Sequence, residues 1–315
     1  MSTKMAGRDP KALALSGALF TKLHQSKTYD YISPSKLDLS GKHVLVTGAA
    51  WEDGVGYATA TAFARAGASA IAIADLHPLS DDLVLKLKLA ATQAGRAEPI
   101  VLSFTVDIAA QDNVQAMHDT VSQSFGGRLD VVVNNAAHME PYKTFLDSDP
   151  DVYWRTWEVN IRGLFNMARA FLPMLLASRD ATNNAGPSLC TMINVSSSGA
   201  LSARPTSCSY RSSKLAILRW TETLQLEDGE KGLLTFCVNP GAIKTKITEN
   251  MLPEKVRDSL PDQPSVAGDT IVWLAAERRE WLGGRYVSCP WDMEELMKKK
   301  DEIIKNDLLK LRMEF

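Results

Sequence analysis

Tyr210 and Lys214 stand four residues apart in the run Tyr-Arg-Ser-Ser-Lys, a spacing that puts a phenol and an ammonium on one face of a helix. A phenol has a pKa near 10, and it exchanges protons with a carbonyl or alcohol oxygen around neutrality only when that value is drawn down. The charge of Lys214 is predicted to draw it down. Ser197, in Ile-Asn-Val-Ser-Ser-Ser-Gly, lies thirteen residues before Tyr210 at the end of an apolar run. Its hydroxyl can bond the same substrate oxygen and stabilise a developing alkoxide, as an oxyanion-hole donor does. Each residue alone has a plainer reading: Tyr-x-x-x-Lys recurs on solvated helix faces, and a serine cluster is often no more than a polar strand end.

A second cluster precedes these. The apolar run His43 to Thr47 leads into Gly48-Ala49-Ala50-Trp51-Glu52-Asp53-Gly54-Val55-Gly56, and an Ala-rich helical pattern follows. Glycines at a strand-to-helix turn let backbone N–H groups approach a pyrophosphate, whose charge the helix N-terminus favours. Asp75 closes the next apolar run, where a carboxylate can accept ribose hydroxyls. A 2′-phosphate there would be repelled by Asp75 and by Glu52 and Asp53, so NAD is expected in preference to NADP, with NADP still admitted as the other candidate.

With both clusters in view, residues from about 40 to 290 resemble the short-chain dehydrogenase/reductase family. The resemblance rests on the glycine turn, Asn134-Asn135-Ala136-Ala137, Asn160 in Glu-Val-Asn-Ile-Arg-Gly, Ser197, Tyr210 with Lys214, and Pro240-Gly241-Ala242-Ile243-Lys244-Thr245. It implies a NAD(P)-dependent oxidoreductase that moves a hydride between the nicotinamide and a secondary alcohol or ketone. It implies catalytic roles for Asn160, Ser197, Tyr210 and Lys214, with Asn160 holding a water that connects Lys214 to solvent. Cofactor contacts are implied for Gly48, Gly54, Val55, Gly56, Asp75, Asp107, Ile108, Asn135, Ala136, Tyr210, Lys214, Pro240, Gly241, Ile243 and Thr245. Asp107 reads equally well as an ordinary strand-end cap. The chain departs from the family pattern twice: five residues separate Gly48 from Gly54, a longer turn than the family's, and Ala137 replaces a glycine. The alternative class is a cofactor-binding scaffold or a non-redox catalyst on the same fold. The intact Asn160, Ser197, Tyr210 and Lys214 argue against it.

Positioning these residues requires alternating strands and helices. Short apolar runs at His43–Thr47, 70–74, 100–104, 131–133, 190–195, 233–238 and 286–288 predict seven buried strands. Helical patterns over 55–66, 82–94, 111–125, 152–177, 209–226 and 267–276 fill the gaps. The expected architecture is α/β, a doubly wound parallel seven-stranded sheet of Rossmann type with helices on both faces. Residues 1–40 read as an N-terminal extension, 41–290 as the catalytic domain and 291–315 as one amphipathic helix. That last helix opens with Asp292 three residues before Glu295 and carries Leu296, Ile303, Leu308 and Leu311 as a stripe. The stripe is expected to dock on a neighbouring subunit or on the rim of the substrate pocket, with Leu13, Leu15, Leu19 and Leu23 packing on the same assembly. The polar stretch 178–187 predicts a surface loop.

Composition narrows the function further. Of 315 residues, 45% are hydrophobic and 23% charged, and the formal net charge is −2, which gives no field for nucleic acid or an anionic membrane. Four scattered cysteines and five histidines predict no metal site and no disulfide framework. No apolar run is long enough for a membrane helix. The stretch Ala12 to Phe20 after Lys4, Arg8 and Lys11 sketches a targeting sequence, but Asp9-Pro10 interrupts it and no small-x-small cleavage site follows, so a cytoplasmic protein is expected. The sequon Asn194-Val195-Ser196 falls on a predicted buried strand and is discounted. The expected partners are a small carbonyl or alcohol substrate and further copies of the chain, as a homodimer or homotetramer. Residues 243–264, with Met251, Leu252 and Val256, together with His138, Met139 and Tyr142, are predicted to shape the substrate pocket. The terminal tails resemble those of family members from filamentous fungi, many of which serve specialised metabolism.

Overall fold

Seven strands, β1 His43–Thr47, β2 Ala70–Asp75, β3 Ile100–Thr105, β4 Val131–Asn134, β5 Thr191–Val195, β6 Leu234–Asn239 and β7 Arg285–Ser288, form one sheet in the order β3-β2-β1-β4-β5-β6-β7. Every pair is parallel. The computed structural model describes residues 16–180, 188–249 and 254–313. The inner strands bury both faces, which explains why they read as unbroken apolar runs, whereas β3, predicted to be buried, lies at the sheet edge with Ile100 54% exposed and no residue fully covered. Val44, Val46, Ile71, Ile73, Val131 and Val133 join one core, while Leu45, Ala70, Ala72 and Val132 join the other.

The helices are α1 Val55–Arg65, α2 Asp81–Gln93, α3 Gln111–Ser124, α4 Pro150–Trp157, α5 Leu164–Asp180, α6 Cys208–Asp228, α7 Glu254–Arg257, α8 Pro264–Ala276, α9 Met293–Lys298 and α10 Lys300–Lys305. The first core is built on α1 and α8 (Ala60, Phe63, Ile271, Trp273), the second on α3 and α5 (Val114, Met117, Phe171, Leu175). Strand order reverses between β1 and β4, and that opens a crevice at the C-terminal ends of the strands.

Several expectations need correction. The helix predicted over 152–177 is interrupted by a π-helical segment, Glu158–Gly163, between α4 and α5. Such widened turns often mark functional positions, and this one holds Asn160. The loop predicted from Ser178 begins later, because α5 runs to Asp180; Ser178 Oγ donates to Met174 O and accepts from Leu129 N, so it belongs to the buried helix. Residues 181–187 of that loop, Leu13 and Leu15 in the N-terminal extension, and Met251 and Leu252 lie outside the described residues.

The C-terminal segment is two short helices broken at Lys299, and positive φ angles at Asp307 and Leu309 end any further helix. Its apolar stripe does not face outward. Leu296 and Ile303 are fully buried in the chain's own first core. Leu309 O accepts from Tyr286 N at 2.9 Å, so the tail runs along the free edge of β7. The N-terminal segment meets it there: His24 pairs with Trp291 in an antiparallel bridge, and Trp291 Nε1 donates to Gly17 O at 2.9 Å. The stripe that suggested a partner subunit is therefore covered from within.

Candidate active site

The glycine turn is built by close approach. Gly48 has φ +74°, and a Cβ there would lie 2.7 Å from Asn135 Nδ2 and 2.8 Å from Ala136 Cα. A Cβ on Gly56 would collide with Gly48 O. The same contacts stitch the turn to the end of β4: Asn135 Nδ2 donates to Thr47 O at 2.9 Å and to Gly48 O at 3.0 Å, and Thr47 Oγ1 accepts from Asn135 N and Ala136 N at 3.1 Å. The Asn135 Nδ2 thus shapes the turn, with its donors turned to the backbone. No side chain caps α1 among the described residues, so N–H groups at Val55 and Gly56 remain open at its N-terminus. A bare turn against an open helix end suits a pyrophosphate.

Asp75 ends β2 with 9% of its surface exposed. It accepts from Ala50 N and from His77 N, each at 2.9 Å, which folds the turn over it and leaves lone pairs for ribose hydroxyls. Asp107 is doubly engaged, accepting from Ala109 N at 3.0 Å and from Arg155 Nη2 at 2.8 Å. Ile108 beside it is buried, and its carbonyl is held by Asn166 at 2.9 Å.

Tyr210 lies in the first turn of α6, and Lys214 one turn on has its Nζ 5.7 Å from the phenol ring centroid. Ser197 follows β5, and its Oγ accepts from Gly199 N at 3.0 Å. The electrostatics differ from expectation. Burial pushes the Tyr210 phenol up to about 12, and a hydrogen bond with Ser197 pulls only part of the way back. Lys214 does not lower it: the ammonium is buried, donates to Val195 O at 2.8 Å, and is itself brought down to about 8 by desolvation. Removal from water outweighs the attraction the sequence suggested.

Asn160 is oriented by three bonds. Its Nδ2 donates to His138 O and to Ser213 Oγ at 2.9 Å, and its Oδ1 accepts from His138 N at 2.8 Å. Between it and Lys214 lies a cavity of about 10 Å³, walled also by Asn134 and Asn194. That is room for one water, and Asn134 Oδ1 is buried without a partner among the described residues.

After β6, Ile243 forms a parallel bridge with Asp262, and Ala242 N donates to Asp262 Oδ2 at 2.7 Å. His24 Nε2 meets Asp262 Oδ1 at 2.8 Å, so the N-terminal segment anchors the stretch that carries Pro240, Gly241 and Thr245.

Sequence reasoning missed Glu140. Its buried carboxylate accepts from Tyr210 N at 3.0 and 3.2 Å and from Thr156 Oγ1 at 3.4 Å. It caps from a distance the helix whose own N-cap, Ser207, makes no side-chain bond. Ser213 was also missed; its Oγ joins Asn160 to Tyr210 O. Neither carries a local signal, for a Glu in a polar loop reads as solvated.

The sequence profile of the short chain dehydrogenase family matches residues 42–255. A short chain dehydrogenase of Monascus purpureus, mpl6, is 40% identical over 293 residues, covering 93% of this chain and 95% of that protein. Another, pigC of Monascus ruber, is 38% identical over 297 residues, with 93% of each chain covered. Among solved structures, a 3-ketoacyl-(acyl-carrier-protein) reductase from Brucella melitensis complexed with NADH superposes with a TM-score of 0.66 at 24% identity, over 80% of this chain and 97% of its own. A 7α-hydroxysteroid dehydrogenase complexed with NADH gives 0.67 at 21% identity, over 83% and 96%. These two establish the fold, and the fungal relatives match beyond it into the terminal segments. The chain belongs to the short-chain dehydrogenase family, a family of oxidoreductases.

Proposed function

We propose that the protein interconverts a secondary alcohol and a ketone with NAD(H) in preference to NADP(H), Tyr210 serving as general acid and base. The observation that carries this reading is the convergence of Ser197, Tyr210 and Lys214 on the crevice beside the Gly48–Gly56 turn. The dinucleotide supplies the hydride or takes it up. The rest of the chemistry falls to the chain. A phenol at about 12 keeps its proton at neutral pH, which suits it to protonate a carbonyl oxygen during reduction. Ser197 holds that oxygen and donates to the charge developing on it. Lys214, with Asn160 and the small cavity between them, provides the route by which the phenol regains its proton.

The substrate is a small carbonyl or alcohol compound, which the resemblance to fungal family members places in specialised metabolism, and the broken N-terminal stretch around Asp9-Pro10 supports a cytoplasmic location. Assembly as a homodimer or homotetramer belongs to the same proposal, with exposed Trp154 and Phe165 on α4 and α5 as its surface. Light scattering tests that part. Nicotinamide absorbance against a panel of ketones and alcohols tests the activity. Tyr210→Phe should then lower kcat about 10²–10⁴-fold while cofactor affinity stays within a few-fold. Turnover near wild type in that variant would refute the mechanism.

A further inference from the structure

The lengthened glycine turn carries an indole that none of the chemistry above uses. Trp51 is 39% exposed, yet its surroundings are fixed. Its carbonyl accepts from Gly54 N at 2.9 Å, and its ring meets His77 edge-on with centroids 5.6 Å apart. The residues on either side are tied down, Ala50 to Asp75 and Glu52 to Lys86. Lys246 Nζ lies over the indole, 5.1 Å from its centroid. Lys246 opens the short turn Lys246–Thr248, fixed by a reciprocal Thr245/Thr248 capping box, and its ammonium is steadied by Glu249 at 2.6 Å.

Trp51 belongs to the loop after β1 and Lys246 to the loop after β6, with β4 and β5 between them in the sheet. Three strand spacings amount to about 14 Å. For indole and ammonium to meet, the two loops must lean together across the ends of β4 and β5, where Ala136 and Ser197 follow.

We propose that Trp51 and Lys246 form a clasp over the dinucleotide crevice and that it governs how fast the cofactor leaves. The proposal rests on the cofactor binding argued above. A dinucleotide held by the Gly48–Gly56 turn would lie beneath the contact, which would have to part for release.

NADH fluorescence in stopped flow separates release from entry. Lys246 is 51% exposed, so Lys246→Met leaves the fold intact. Lys246→Met and Trp51→Leu should each speed NADH dissociation about two- to five-fold, as loss of one half-exposed cation–π contact would. The double variant should release no faster than the faster single, and Lys246→Arg, which keeps a cation over the ring, should stay within two-fold of wild type. Unchanged release in either single variant, or effects that multiply in the double, overturns the clasp. A wild type that binds neither NADH nor NADPH overturns the oxidoreductase reading and the clasp with it.

Discussion

The proposed cofactor preference rests on Asp75 and the local charge on Lys214, and each makes a claim that a single substitution tests. Asp75 holds two backbone N–H groups, so its removal disturbs the turn as well as the charge. Asp75→Asn keeps one accepting oxygen and abolishes the charge, which makes it the cleaner variant. It should narrow the preference for NADH over NADPH in paired titrations, and tighter binding of NADPH by the wild type would show that the lengthened turn overrides the carboxylate. Lys214 tests burial. Its pKa falls from 10.5 to about 8 on folding, so below pH 8 both states carry the proton and the native state bears the full cost of a buried charge. Between about 8 and 10.5 the unfolded chain binds more protons, so stability contributed by this residue rises with pH. Urea unfolding at pH 7 to 10 should therefore show wild type gaining on Lys214→Met across that window. A difference independent of pH would mean that Lys214 stays charged in its pocket.

At the scale of elements, α6 shows how a distant residue places Tyr210. The first N–H groups of a helix have no partner within it, and Ser207, with φ +55°, offers no side-chain bond. Glu140, in the loop after β4, accepts from Tyr210 N instead. Glu140→Ala should cost about 1–2 kcal/mol in denaturant unfolding and lower kcat through a displaced Tyr210, whereas Glu140→Gln should retain most of both. Equal losses in the two variants would point to the charge and away from capping. This contact also marks what the sequence could express. Tyr210 with Lys214, the glycine turn with Asp75, and all seven strands were legible because spacing and apolar periodicity are local. Glu140 to Tyr210 spans seventy residues and leaves no pattern. The π-helical turn at Asn160 was hidden for another reason: one widened turn shifts a helical periodicity too little to be seen. The depression of Tyr210 by Lys214 failed because desolvation depends on everything packed around the pair, not on their separation along the chain.

The whole molecule closes where its two ends meet. Parallel sheets leave an exposed edge strand as a template for association, and here the tail after α10 covers β7 through Tyr286 N and Leu309 O. Trp291 joins the two termini: 1% exposed, it packs against Phe20 and Tyr286 at 4.9 and 5.8 Å and donates to Gly17 O. Its replacement by alanine should cost about 3–5 kcal/mol, a fall in melting temperature on the order of 10 °C. Leu85→Ala on α2, at a side chain 54% exposed, should change stability by no more than about 0.5 kcal/mol. The effect should reach the site, because His24, one strand-bridge partner from Trp291, holds Asp262 and with it Ala242 at the base of the segment over the crevice. Weaker cofactor binding should accompany the loss of stability. Deleting residues 292–315 should uncover both the β7 edge and the Trp291 core, so light scattering should find larger, aggregated species rather than smaller ones. A truncated protein that stays folded and only falls to a lower oligomer would show that the tail serves a partner subunit after all, and that its burial within the chain contributes little.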